Sequence, residues 1–154
     1  MAIQIAKAMG LEVNGICSSA NIHLVRKLGA QKVFDYNEHS CSEIDTTYDV
    51  VLDTVGSTKH FEMRKHLNTG GRHVYLKCDL PQIFLALATR FSSKRVKTGI
   101  SPDKREDLEF IKGMAEERQL CPVVDRIFEF SEIAEAHAYV DQGHKVGSVL
   151  ISID

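Results

Sequence analysis

The run Tyr48-Asp49-Val50-Val51-Leu52-Asp53-Thr54-Val55-Gly56 constrains the fold of this chain most. Its apolar residues, interrupted by only two carboxylates and including two adjacent valines, make a stretch of strand length that a glycine closes. That pattern predicts a strand buried on both faces of a parallel sheet rather than an alternating, half-exposed one. Such a strand needs helices on both sides, and the flanking chain supplies helical patterns at the expected spacing, so the fold class is α/β. Ligands in these sheets gather at the carboxyl ends of the strands, which puts Asp53, Thr54, Val55 and Gly56 on the functional edge. The same four residues equally suit a plain strand-ending turn.

A chain of 154 residues has room for one domain with a substantial core, and 44% hydrophobic with 26% charged residues is the balance of an ordinary soluble globule. A net charge of -2 offers no electrostatic argument for nucleic acid or a membrane as partner. The one basic cluster, Lys94-Arg95 with Lys97, reads as a solvated strand edge. The longest apolar run, over residues 83–88, is too short to span a bilayer, and no signal-peptide pattern opens the sequence, so a cytoplasmic location is expected. Cys17, Cys41, Cys78 and Cys121 lie far apart with no C-x-x-C pair, which predicts reduced thiols and no zinc site. The seven histidines are scattered as well. His60 and His66 can share a helix face, but without H-E-x-x-H spacing they read as surface residues.

Taken in order, residues 1–9 predict a helix with Ile5, Ala6 and Met9 as its apolar stripe and Gly10 as its stop. No cap and no strand precede it, so the pattern opens inside a supersecondary unit. A strand over residues 11–17, a cap and loop at Ser18-Ser19-Ala20-Asn21, a helix with Ile22, Val25 and Leu28 ending at Gly29, and a strand over residues 32–36 complete one crossover unit. Residues 40–45 can hold a short helical turn. Ser57 is placed to cap a helix over residues 58–67 that Gly70-Gly71 ends, followed by a strand over residues 72–77. Pro81 opens an apolar helix, residues 94–100 form a strand, and Ser101-Pro102-Asp103 cap a helix with Leu108, Ile111 and Met114 or Ala115 inward. From residue 120 the texture changes: a turn at Cys121-Pro122, a half-exposed strand over residues 125–130, a helix capped by Ser131, and a last strand over residues 147–153.

A dinucleotide fold reads the adenosine ribose at the end of its second strand, where a carboxylate favours NAD and its absence leaves room for a 2′-phosphate. That position here is Cys17-Ser18-Ser19, with no carboxylate near; the hydroxyls suit a phosphate and suit plain helix capping equally. No G-x-G-x-x-G occurs, so the usual phosphate grip and the first strand that carries it are missing from the pattern.

These stretches together resemble a known family. Residues 1–10, Leu24-Val25-Arg26-Lys27-Leu28-Gly29-Ala30, Phe34-Asp35-Tyr36, the run from Tyr48 to Gly56 and Gly70-Gly71-Arg72 are similar to the medium-chain dehydrogenase/reductase superfamily, in its zinc-independent quinone oxidoreductase-like branch. Arg105-Glu106-Asp107-Leu108, Pro122-Val123-Val124-Asp125-Arg126, Ala136-His137, Gly143-His144 and Gly147-Ser148-Val149-Leu150 resemble its C-terminal pattern. The resemblance implies a Rossmann-like, doubly wound, mostly parallel sheet lacking its first strand and Gly-rich loop. It implies an incomplete dinucleotide-binding domain over residues 1–119 and a strand-helix-strand tail over residues 120–154, which in the family returns to a GroES-like catalytic domain.

The implied function is that of the nucleotide-binding portion of an NADPH-dependent oxidoreductase, passing hydride to quinones, enones or aldehydes. Ser18, Ser19, Asn21 and Tyr36 then belong to the adenosine ribose and its phosphate, Asp53, Thr54, Val55 and Gly56 to the strand end, and Leu76 and Lys77 to the nicotinamide side. No residue is implied as a catalytic acid or base. Ala20 stands where relatives often carry a basic residue, and Lys77 and Ser148 replace what are often Gly and Lys. With the catalytic domain and the loop outside the pattern, the chain alone is expected to bind NADPH weakly or not at all and to be inactive. The implied partner is a missing N-terminal half or a second copy. The alternative is a non-catalytic remnant serving as a dimerisation or protein-binding module. A methyltransferase, which shares the sheet, lacks both its glycine loop and its acidic residue here.

Overall fold

The computed structural model describes residues 1–38, 44–77, 79–98, 104–143 and 145–153. They form two compact units, Met1–Phe34 with Lys104–Asp154, and Asp35–Asp103.

In the first unit, helix α1 (Ala2–Ala8) ends at the expected glycine, but its inward residue is polar. Gln4 is buried while Met9 is 65% exposed, which corrects the expected stripe of Ile5, Ala6 and Met9. The reason is a pair of amide bonds: the Gln4 side chain donates to the Cys121 carbonyl at 3.0 Å and accepts from the Cys121 amide at 2.7 Å. Burying an amide that satisfies two backbone groups costs little, and it ties α1 to the chain beyond residue 120. Strand β1 (Asn14–Cys17) pairs with β2 (Lys32–Asp35), and a 3₁₀ turn at Ser19–Asn21 leads into α2 (Ile22–Lys27).

Helix α5 (Arg105–Glu116) buries Met114 but leaves Leu108 66% exposed; the cap expected at residues 101–103 lies outside the described residues. The tail is a strand-helix-strand unit as expected: β6 (Val124–Glu129), α6 (Ile133–Asp141) and β7 (Ser148–Ser152), with β6 parallel to β7. Asp125 braces it, accepting from the Tyr139 hydroxyl and the Val146 amide, each at 2.9 Å. Ser131 does not cap α6. It sits inside a 3₁₀ turn at Phe130–Glu132, whose own capping box has the Glu132 carboxylate accepting from the Glu129 amide at 2.9 Å, and α6 carries no side-chain cap bond at its N-cap Glu132.

The second unit is a three-stranded parallel sheet in the order β3 (Tyr48–Asp53), β4 (Leu67–Tyr75), β5 (Arg95–Thr98). β4 is the middle strand, so the expectation that the Tyr48-to-Gly56 run is buried on both faces is corrected. β3 pairs on one side only among the described residues, and Val50 and Leu52 are 55% and 42% exposed. The helices of this unit explain the difference: α3 (His60–Met63) is a single turn, and α4 (Leu80–Ala88) packs against β5.

The helix expected over residues 58–67 is cut short. A 3₁₀ turn at Arg64–His66 follows α3, and Leu67, 1% exposed, already opens β4 beside Tyr48. Gly70-Gly71 is a bulge inside β4 instead of a helix stop. Between two pairings β3 advances from Tyr48 to Val50 while β4 advances from Leu67 to Arg72, and Gly70 absorbs the excess with φ of 85°. Helix α4 opens as predicted, with Pro81 in its first turn and the Gln82 side chain accepting from the Asp79 amide at 3.2 Å. Its Leu80, Ile83, Phe84 and Leu87 form an apolar stripe that is more than half exposed. Most of the turn expected over residues 40–45 lies outside the described residues.

The histidines overturn the surface reading. His60 and His66 are each 6% exposed and His73 is fully buried. His73 alternates with Tyr75 along β4, and both pack under the carboxyl end of β3 beside His60.

Candidate functional site

The carboxyl ends of β3 and β4 meet where Asp53 aligns with Tyr75, and the Leu76 amide donates to the Asp53 carbonyl at 2.9 Å. Beyond that bond the chain leaves β3 in a turn built on the Asp53 side chain. Oδ1 accepts from the amides of Val55 at 2.9 Å and Gly56 at 2.7 Å. Oδ2 accepts from the Thr58 amide at 2.9 Å and from the Thr58 hydroxyl. An aspartate that folds its own backbone into a turn is a common local device; here it takes four donors at once. Gly56 adopts φ of 81°, which a side chain would strain, and lies against Lys77.

Burial pushes the Asp53 carboxyl upward, but the Thr58 hydroxyl and the three backbone amides outweigh it, so the group titrates below its ordinary value. His73 stands behind the turn with Nε2 3.1 Å from the Thr58 hydroxyl oxygen. Its ring lies 4.2 Å from that of Tyr75 and 5.6 Å from that of His60. The Tyr75 hydroxyl donates to the Thr58 carbonyl at 2.8 Å. Burial, and then the nearby His60, lower His73 to about 4 against the opposing pull of Asp53. His60 is lowered by burial and by Arg64. The rings are therefore neutral at ordinary pH.

The structure thus brings Asp53, Val55, Gly56, Leu76 and Lys77 to one edge, with Thr54, Val55, Leu76 and Lys77 exposed along it. Val55 and Leu76 offer apolar surface to a planar ring, and Lys77 offers a cation to a phosphate oxygen, so this donor set fits a nicotinamide nucleotide. The Asp53 carboxylate is engaged within the protein, where it shapes the turn.

Ser18, Ser19 and Asn21 lie together in the first unit, at the end of β1. Asn21 Nδ2 donates to Ser18 Oγ at 3.3 Å and the Asn21 amide to the Ser18 carbonyl at 2.9 Å; Ser18 makes no side-chain capping bond, correcting the capping expectation. The turn contains no carboxylate, which suits a phosphate-bearing ribose. Tyr36 follows β2 in the second unit with its side chain 58% exposed, just after Asp35, which anchors Asn37 through bonds of 2.9 and 3.0 Å. Thr58 and His73 escaped the sequence reading. The available signal was period-two alternation, which sets His73 on the face of Tyr75.

Among the described residues no group of three or more His, Cys, Asp or Glu is placed to hold a metal ion. No helix among them is long and apolar enough to cross a membrane.

Comparison with known proteins agrees with this architecture. The NAD(P)H oxidoreductase RTN4IP1, mitochondrial, of Drosophila melanogaster is 27% identical over 99% of this chain and 42% of its own length. The chloroplastic quinone-oxidoreductase QR1 of Triphysaria versicolor is 28% identical over 97% of this chain and 47% of its own. The chain therefore spans less than half the length of each. The quinone oxidoreductase from Coxiella burnetii superposes with a TM-score of 0.83 at 25% identity, covering 99% of this chain and 48% of that one. The parallel α/β architecture is that of the Rossmann-like C-terminal portion of the medium-chain dehydrogenase/reductase fold. Residues 28–151 match the family model described as zinc-binding dehydrogenase, and the chain belongs to that family.

Proposed function

We propose that this chain is the nucleotide-binding portion of an NADPH-dependent oxidoreductase that reduces quinones, enones or aldehydes. The observation that carries the reading is the common edge made by Asp53–Gly56 and Leu76–Lys77 at the ends of two adjacent parallel strands. The oxidoreductase names of the relatives support the reaction class. When bound, the nicotinamide supplies a hydride. The chain's own task is to hold and orient it, with Val55 and Leu76 against the ring and Lys77 toward a phosphate; the family resemblance assigns Ser18, Ser19, Asn21 and Tyr36 to the adenosine ribose and its phosphate.

The preference for NADPH over NADH rests on the absence of a carboxylate from the turn at Ser18, Ser19 and Asn21. No side chain of this portion acts as acid or base in the reading, and the isolated chain is expected to be inactive. Titrating NADPH and NADH into the chain, followed by nucleotide fluorescence, tests it. Weak, saturable binding that favours NADPH over NADH supports the reading, and saturable binding that favours NADH overturns it.

A second reading, a non-catalytic module that pairs with another copy, draws on the exposed stripe of Leu80, Ile83, Phe84 and Leu87. Sedimentation velocity decides it: a monomer at all concentrations ends this alternative.

A further inference from the structure

The hydrogen bonds around Asp53 have a direction. An ionised carboxylate only accepts, so the single proton of the Thr58 hydroxyl goes to Asp53 Oδ2. A lone pair of the same hydroxyl oxygen faces His73 Nε2 at 3.1 Å, and an N–H at Nε2 completes the contact. His73 is thereby the neutral Nε2–H tautomer, leaving on Nδ1 a lone pair that is buried with no partner among the described residues. A second proton at Nδ1 would have no acceptor, which agrees with a ring that resists charging.

We propose that Thr58 and His73 are positioning residues for the nucleotide edge. The relay from His73 through Thr58 to Asp53 holds the turn over residues 54–58 in the conformation that a nicotinamide nucleotide meets. This deepens, and rests on, the reading that the edge receives such a nucleotide.

The groups facing His73 are Asp53 from β3, Thr58 from the turn, His60 from α3 and Tyr75 from its own strand, with Arg64 acting on His60. None of them offers His73 Nε2 an acceptor to rival the Thr58 hydroxyl. Within the turn, Thr54, Val55 and Ser57 are exposed, so its anchorage is the buried Asp53 carboxylate and the Thr58 side chain that locks it. A turn held in place before the ligand arrives spares the cost of ordering it on binding. Loss of the relay should therefore weaken binding more than it disturbs the sheet.

Three measurements on the full chain test the proposal. Nitrogen-15 NMR of the imidazole groups is expected to report His73 as the neutral Nε2–H tautomer at pH 7; an Nδ1–H tautomer overturns the relay. NADPH titrations compare wild type with Thr58→Val, which keeps the shape without the hydroxyl, and Thr58→Ser, which keeps the hydroxyl. Thr58→Ser is expected within about twofold of wild type and Thr58→Val about tenfold weaker, the scale of one buried hydrogen bond. Equal affinity of Thr58→Val and wild type, or equal losses in both variants, overturns the proposal.

The third comparison guards against a variant that fails to fold. His73→Gln, whose amide nitrogen can stand in for Nε2–H, should retain affinity that His73→Leu loses; equal affinities reject the role of His73. Wild-type binding that favours NADH over NADPH overturns the nucleotide reading itself, whereas wild-type binding that Thr58→Val matches overturns the relay alone.

Discussion

Asp53 is the residue on which the edge depends, because its two oxygens close a turn whose Thr54, Val55 and Ser57 are exposed. Replacing one oxygen by an amide NH₂ in Asp53→Asn turns two acceptor contacts into donor against donor. The expected cost is about 3 kcal/mol of stability, read from the urea midpoint, because bonds to a charged acceptor are each worth roughly 1.5–3 kcal/mol. The Asp-Thr-Val-Gly turn was legible in the sequence, since Asp and Gly are the residue types that such turns demand. The engagement of both carboxylate oxygens was not, because both donors to Oδ2 come from Thr58, whose place depends on how the chain returns to β4.

At the scale of elements, two glycines make opposite predictions. A Cβ at Gly71 would stand 2.8 Å from the Asn68 carbonyl oxygen and 3.1 Å from that of Tyr48, both backbone atoms that cannot swing aside. Gly71→Ala should therefore destabilise the chain by roughly 1–3 kcal/mol, as overpacking does. A Cβ at Gly113, inside α5, meets nothing within 4 Å, so Gly113→Ala should stabilise by about 0.4–1 kcal/mol through helix propensity and a less free unfolded chain. Thermal unfolding of the two variants beside wild type checks both signs. Sequence patterns placed the helices and strands well where a single period rules, as in α2, α4 and the β6-α6-β7 tail. They misjudged Gly70-Gly71 because a glycine pair marks a helix stop and a strand bulge alike, and pairing with Tyr48 and Val50 decides between them.

For the molecule as a whole, the buried histidines set an acid limit. His73 is lowered from 6.5 to about 4 and His60 is lowered too, so the folded state binds fewer protons than the unfolded chain as pH drops. Their contribution is complete above pH 6.5 and is lost progressively as pH falls toward 4, with Asp53 adding its own loss below 3.8. For His73 the loss amounts to ~3 kcal/mol at the acid end, at about 1.4 kcal/mol for each tenfold change in proton affinity. Urea midpoints at pH 7 and 4.5 should show the drop in wild type and a smaller one in His73→Gln; equal drops would reject His73 as its source.

What the amino-acid order determined by itself is short-range. Alternation and apolar spacing, the Asp53–Gly56 turn and Pro81 at the start of α4 all act within a few residues, and they carry the parallel α/β class with them. Tertiary structure alone decided which strand became the middle one, where Gln4 was buried, and that three histidines went inside. Those outcomes depend on which distant segment lies alongside, and a side chain's cost of burial is fixed only when its partner, such as Cys121 for Gln4 or Thr58 for His73, has been brought to it.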